Sequence, residues 1–151
     1  MVHEVKRLRP GDTDQLTDLI RVFELEFEME NFSLPRPGHL ARLLKSDRFM
    51  AFVALKNHLV IGGLTAYVLD QYYSEKPIAY VYDLAVLSDH QRQGIASSLM
   101  SSLNELCRHE GFEEVYVQAD KTDNHALEFY RSTQPGQEEA VVQFSYFLGG
   151  D

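Results

Sequence analysis

Tyr80-Val81-Tyr82-Asp83-Leu84-Ala85-Val86-Leu87-Ser88-Asp89-His90-Gln91-Arg92-Gln93-Gly94-Ile95-Ala96 runs from an apolar, β-prone stretch through a short polar loop into a helix opened by glycine. A helix start leaves several backbone N–H groups without intrahelical partners, and the macrodipole adds partial positive charge at that end. Phosphate oxygens fit such a seat. Gly94 lets a ligand approach the backbone closely, and Ala96 keeps the next approach point small. Gln91, Arg92 and Gln93 bring donors to the rim. The run reads as a pyrophosphate cradle.

Upstream of it, Ile78 to Val86 is the strand that feeds the loop. Phe49 to Leu55 and Leu59 to Leu69 read as two further strands joined by the hairpin turn Lys56-Asn57-His58, with Tyr72 to Pro77 a loop. His3 to Arg9 is a first strand closed by Pro10-Gly11. Asp12 then has Gln15 at capping-box spacing, and Leu16, Leu19, Ile20, Phe23 and Phe27 lie on one helical face. Glu24, Glu26, Glu28 and Glu30 spread around the end of that helix, where most are expected to be solvated. Pro37 suits the first turn of a short second helix through His39 to Leu44.

Downstream, the helix from Gln93 to His109 puts Ile95, Leu99, Leu103 and Leu106 along one side, and Gly111 stops it. Glu114 to Ala119 is a fifth strand, Asn124 to Ser132 a short helix and Glu139 to Leu148 a last strand. Strands first, then a strand-helix-strand unit, predict an α+β fold with a mixed sheet.

At 151 residues, with 44% hydrophobic and 25% charged, the chain reads as one domain over 1–151. No apolar run approaches the ~18 residues of a membrane span, and Met1-Val2-His3-Glu4 lacks a signal peptide's apolar stretch. A cytoplasmic protein without a membrane partner is expected. Cys107 is the single cysteine, so no intramolecular disulfide forms and a reducing compartment fits. A net charge of −9 repels nucleic acid and steers a polycation inward, although acidic surfaces also serve solubility alone.

A nucleotide-hydrolase loop needs Gly-Lys-Ser or Gly-Lys-Thr, and a dinucleotide fold needs three spaced glycines after its first strand; neither is present. Gln91-x-x-Gly94-x-Ala96 after a strand instead resembles the acyl-CoA loop of the GCN5-related N-acetyltransferases (GNAT). A second run, Asp123-Asn124-His125-Ala126-Leu127-Glu128-Phe129-Tyr130, is similar to that superfamily's Asn-x-x-Ala-x-x-x-Tyr motif, with Asp123 at the usual asparagine position. Either Asp123 or Asn124 is then the residue that holds the pantetheine. The resemblance implies a GNAT fold, a mixed and mostly antiparallel sheet of about six to seven strands flanked by about four helices. It also implies acetyl-CoA as cofactor, held by Leu84, Ala85, Val86, Gln91, Arg92, Gln93, Gly94, Ile95, Ala96, Ser97, Asn124, Ala126 and Phe129.

The runs Tyr80 to Val86, Arg92 to Ala96 and Tyr116-Val117-Gln118-Ala119-Asp120 look like the aminoglycoside 3-N-acetyltransferases, the gentamicin-modifying branch. That likeness spans about Leu43 to Phe144 and implies acetyl transfer to the 3-amino group of a deoxystreptamine aminoglycoside, giving resistance. Asp83 and Asp120 would line the acceptor site, with Asp123 near it and Glu28 in the wall stretch Phe27 to Pro37, which matches least well. After Tyr130 the chain reads Arg131-Ser132-Thr133-Gln134-Pro135-Gly136 where the superfamily commonly has Lys-Leu-Gly. Other acceptors, a polyamine or a peptide N-terminus, remain as alternatives, as does a non-catalytic acyl-CoA sensor.

Amide formation needs an ammonium deprotonated, a thioester carbonyl polarised and a thiolate protonated. Asp83 sits in an otherwise apolar strand, with Val81 and Ala85 on its own face by alternation. It is read either as the catalytic base or as a sheet-edge aspartate satisfied by backbone donors. A kink near Leu84 would free the N–H of Leu84 or Ala85 for the carbonyl oxygen. Tyr130 is the proton donor to sulfur, or else a core-edge tyrosine. His3, His39, His58, His90, His109 and His125 show no ligand spacing, so no metal is expected, and His90 and His125 read as solvated loop residues. Cys107 falls on the inner side of its helix, which favours direct transfer without an acyl-enzyme. Core packing is the reading for most of Tyr67, Tyr72, Tyr73, Tyr80 and Tyr82. A homodimer is plausible for so short a mixed-sheet domain.

Overall fold

The computed structural model describes residues 3–149. The chain divides into two compact units, one ending at Gln118 and the other beginning at Ala119.

In the first unit, β2 (Phe49–Lys56) and β3 (Leu59–Leu69) form the predicted hairpin. Asn57 and His58 both adopt positive φ, 52° and 66°, as a two-residue primed turn requires. β1 (Glu4–Arg7) pairs antiparallel with β2, β4 (Ile78–Val86) antiparallel with β3, and β5 (Glu114–Val117) parallel with β4. The sheet order is therefore β1-β2-β3-β4-β5, five strands among the described residues against the six to seven expected.

α1 (Thr13–Glu26) and α2 (Pro37–Lys45) cover one face. Leu16, Leu19, Val22, Phe23, Leu40 and Leu44 bury against Phe49, Ala51, Val53, Leu55 and Ala85. Met50, Phe52, Ala54, Leu64, Ala66, Ala79 and Val81 point the other way and are buried as well. α3 (Ile95–His109) packs on β2, β3 and β4 through Ile95, Leu99, Met100, Leu103 and Cys107. Gly111, at φ 81°, ends α3 with Phe112 N–H donating to the Cys107 carbonyl at 2.9 Å, a left-handed glycine stop. Gly63 lets α1 approach closely, since a Cβ there would collide with the Phe52 carbonyl and the Leu19 side chain.

Three local expectations are corrected. Asp12 stands at the N-cap of α1 but its side chain makes no cap hydrogen bond; it turns back to accept from the Arg9 N–H at 2.8 Å and to meet Lys6 Nζ at 3.5 Å. α3 starts at Ile95 rather than Gln93, and β5 ends at Val117 rather than Ala119.

The second unit holds α4 (Asn124–Ser132), capped by Asp123, whose Oδ1 accepts from the Ala126 N–H at 3.1 Å. Arg131 forms a forked pair with Glu138 at 2.9 and 2.7 Å. The strand expected over Glu139 to Leu148 does not form. Its composition favours a strand, but a strand also needs a neighbour for its backbone groups, and this stretch has none here.

Candidate functional site

β4 pairs with β5 only from Ile78 to Val81, opposite Glu114 to Val117. From Asp83 to Val86 it keeps β3 as its strand partner and has no β5 residue opposite it where the chain runs into the cradle loop. A 3-10 turn, Ser88–His90, carries the chain across. Arg92 and Gly94 follow with positive φ of 62° and 78°. α3 then begins with Gly94 at its N-cap and no side-chain cap. Ile95 is buried and anchors the helix start, while Arg92, Gln93, Gly94 and Ser97 are exposed. A Cβ built on Gly94 meets nothing within 4 Å, so open space faces the uncapped amides. Exposed amides, that space and the Arg92 guanidinium fit the phosphates of an acyl-CoA.

Two side chains hold this loop in ways the sequence did not announce. Glu26, at the end of α1, accepts from the Ser88 N–H at 3.1 Å and from Ser88 Oγ at 3.0 Å. Gln91 turns inward and donates through Nε2 to the Val86 carbonyl at 2.9 Å and to Glu26 at 3.5 Å. Its amide group therefore shapes the loop, whereas the sequence placed it at the rim as a phosphate donor. Glu26 is thus an exception to the mostly solvated acids expected of that helix end. Sixty-two positions separate Glu26 and Ser88, and no pattern in either segment links them.

Asp83 owes its position to a bulge. Thr65 lies opposite Asp83 and Ala66 opposite Val81, which leaves Tyr82 as an extra residue on β4. An extra residue reverses the alternation beyond it. Asp83 therefore leaves the face of Val81, where alternation had put it, and shares the α1 face with Thr65, Tyr67 and Tyr80. The kink lies at Tyr82, two positions before the one expected. Aromatic rings line this face across four strands. Phe49 and Tyr67 lie 5.4 Å apart, Tyr67 and Tyr82 5.7 Å, Tyr80 and Tyr82 6.0 Å, and Tyr80 and Tyr116 4.8 Å.

Asp83 is half-buried, and among the described residues no donor or cation pairs with its carboxylate. The alternative of an aspartate satisfied by backbone donors is not what the structure has. Burial raises its pKa above the ordinary aspartate value. Burial also pushes up the phenols of Tyr67 and Tyr80; neighbouring tyrosines and the Asp83 charge add to the effect. Tyr82, Tyr72 and Tyr73 are exposed rather than packed in the core.

Other expected residues fall as follows. Glu28, at φ 51°, lines a cleft of about 410 Å³ with Leu25, Glu26, Leu87, Ser88, Asp89 and His90. His90 is only partly exposed, and its Nδ1 is buried without a hydrogen-bond partner, unlike a solvated loop histidine. A larger cavity, about 720 Å³, flanks β1 between Glu4 and Asp12 and holds no predicted site residue. Cys107 is buried, and burial pushes its thiol up to about 11, far from a nucleophilic thiolate.

In the second unit, Asp120 accepts from the Thr122 N–H at 2.8 Å and Oγ1 at 2.6 Å, and these bonds lower its pKa. Asp123 is engaged as the α4 cap, and Asn124, the first helical residue, is exposed. Ala126, Phe129 and Tyr130 are half-buried, and the Phe129 and Tyr130 rings lie 5.0 Å apart.

A sequence profile described as the Acetyltransferase (GNAT) family matches residues 15–133. The comparison with curated proteins finds no match. Among solved structures, the aminoglycoside acetyltransferase meta-AAC0020 from an uncultured soil metagenomic sample, in complex with sisomicin, is 53% identical; 97% of this chain and 96% of that one are covered, at a TM-score of 0.95. The aminoglycoside acetyltransferase HMB0005, also from an uncultured soil metagenomic sample, is 35% identical over 99% of this chain and 100% of that one, at 0.92. AAC(6')-Iy, in complex with a bisubstrate analogue, is 15% identical over 98% and 100%, at 0.78, and shares the fold.

Proposed function

The chain belongs to the GNAT acetyltransferase family, and from that premise we propose that it acetylates aminoglycosides, at the 3-amino group of the deoxystreptamine ring in gentamicin-like compounds. The family uses acetyl-CoA, and the five-stranded mixed sheet with four helices is its fold. The observation that carries the substrate class is the 53% identity, over nearly the whole of both chains, to an acetyltransferase solved with sisomicin. Matched coverage of 97% and 96% also supports one catalytic domain over 1–151.

Acetyl-CoA supplies an acyl carbon already activated as a thioester. On the protein side, the uncapped start of α3, with Arg92, holds phosphates against the space beside Gly94. Ile95, Ala96 and Ser97 form the first helical turn behind them. Beyond the pairing with β5, Leu84 and Val86 turn their backbone groups away from β3, and the Leu84 N–H can meet the carbonyl oxygen; the Ala85 N–H faces Gly63 on β3, and the Val86 carbonyl is held by Gln91. Asn124, with Ala126 and Phe129, is assigned to the pantetheine, because Asp123 is engaged as the cap.

Asp83 takes the proton of the substrate ammonium, directly or through water. Its raised pKa makes it a stronger base than an ordinary aspartate, and among the described residues no cation is paired with it. A bound ammonium in turn favours the carboxylate. Asp120, held ionised by Thr122, and Glu28, with Asp123, give further negative charge for a polycation. Tyr130 donates the proton that the departing sulfur needs.

Incubation with acetyl-CoA and gentamicin is expected to release free thiol, and NMR of the product to place the new acetyl on the 3-amino nitrogen. Acetylation at another nitrogen would keep the substrate class and reject the position. Thiol release with a polyamine or a peptide amine and with no aminoglycoside would reject the class.

A further inference from the structure

We propose that the ring of Tyr82, standing between Tyr67 and Tyr80 beside Asp83, receives the acceptor's charged ammonium and sets how tightly it binds before proton transfer. The inference rests on the reading of Asp83 as the group that meets the substrate amine. The bulge makes Tyr82 an extra residue on β4, and Tyr67 faces Tyr80 across the strands, so two phenol rings flank the bulge. The Tyr82 ring lies 5.7 Å from Tyr67 at 89° and 6.0 Å from Tyr80 at 87°. Its plane is perpendicular to both neighbours, and the three rings make a corner instead of a flat stack. Phe49 braces Tyr67 at 5.4 Å, and Tyr116 braces Tyr80 at 4.8 Å, while the Tyr80 hydroxyl donates to Gln118 Oε1 at 3.4 Å. Of the three rings, only Tyr82 is exposed, at 60%.

Core packing does not account for a ring that open. The Asp83 charge helps push up the phenols of both Tyr67 and Tyr80, which puts the carboxylate within reach of the same corner. Half-buried Asp83 has no cation paired with it among the described residues. A lone carboxylate beside ring faces suits a cation. The negative face of a ring attracts an ammonium and takes the place of its water, while leaving the N–H groups free to point at the carboxylate. That attraction belongs to the charged form and fades as the proton leaves, so it acts on binding and not on the chemical step. Tyr82 is thus a specificity-determining residue that favours alkylammonium acceptors, and Asp83 remains the group that takes the proton.

The test is steady-state kinetics of the full chain with acetyl-CoA and gentamicin, or with a polyamine or peptide amine if that is what the parent acetylates. In Tyr82→Leu the acceptor KM should rise about 10-fold, with kcat held within about two-fold and KM for acetyl-CoA unchanged. Tyr82→Phe keeps the ring and should bring the acceptor KM back to within about two-fold of the parent. Tetramethylammonium chloride, a cation without an N–H, should inhibit the parent competitively against the acceptor, beyond equimolar sodium chloride, and much less so in Tyr82→Leu. An unchanged acceptor KM in Tyr82→Leu, a fall in kcat alone, or a Tyr82→Phe as impaired as Tyr82→Leu would overturn the proposal. If Tyr82→Leu does not fold, the tetramethylammonium arm on the parent decides, and no inhibition there overturns it. A parent that acetylates no amine would sink the reading of the site as well; a parent that turns over while Tyr82→Leu is silent would sink this inference alone.

Discussion

The middle of one strand and its C-terminal end differ in how they are made. At its C-terminal end β4 runs into the Ser88–Ala96 loop, where the proposed cofactor recognition rests on backbone amides, an open glycine and a helix start without a side-chain cap. At Tyr82–Asp83, only a few residues earlier, everything depends on side chains and on a single extra residue that moves a carboxylate from one face to the other. Backbone sites are written in local sequence, because glycine and strand-loop-helix order are local properties. Side-chain sites depend on register, which two strands set together. The donor end should therefore answer to changes in backbone freedom, and the acceptor end to changes in charge.

The largest expected effect is at Asp83. Asp83→Asn should lower turnover by at least ~100-fold, the low end for a positioned proton-transfer group. Stability should move the other way. Burial raises the folded-state pKa, so ionised Asp83 disfavours the fold, increasingly as pH rises from the ordinary aspartate value through the raised one. At neutral pH the Asn variant is thus expected to melt no lower than the parent, and a drop in Tm with the loss of activity would indicate a structural aspartate.

Gly94→Val comes next. A β-branched residue at φ 78° is strained and fills the space before the amides. KM for acetyl-CoA should rise by about 10-fold or more, given a backbone strain of roughly 1–2 kcal/mol plus lost room for the ligand. The acceptor KM should hold. An equal rise in both would erase the distinction between the two regions.

Glu26→Gln is the smallest. It removes the charge from two hydrogen bonds to an exposed loop residue, worth about 1 kcal/mol, so KM for acetyl-CoA should rise several-fold. Glu24→Gln, two residues earlier and paired with Arg21 on the same helix, is the control and should change nothing measurable.

The same contrast explains what the sequence could disclose. β4, α2, α4 and the Asn57-His58 turn were legible because alternation, Pro37, Asp123 and hairpin spacing act over a few residues. The strand-loop-helix order around Gly94 was legible for the same reason. The bulge at Tyr82 was not, since nothing in Tyr80-Val81-Tyr82-Asp83 says that β3 skips a residue opposite it. Strict alternation then misassigned the face of Asp83. Glu26 and Gln91 were hidden because their partners are contacts across the fold, and an acid at a helix end looks solvated in isolation. The segment 139–148 shows the reverse failure, in which a strong strand signal says nothing about where its partner is.

The most direct test of Asp83 as the proton acceptor is the pH dependence of kcat/KM for an aminoglycoside, compared between the parent and Asp83→Asn. The parent should lose activity as pH falls through an acid limb with its midpoint above the ordinary aspartate value, because protonation removes the base. In the variant that limb should vanish along with most of the rate. An unchanged limb at near-parental rate in Asp83→Asn would contradict the role assigned to it.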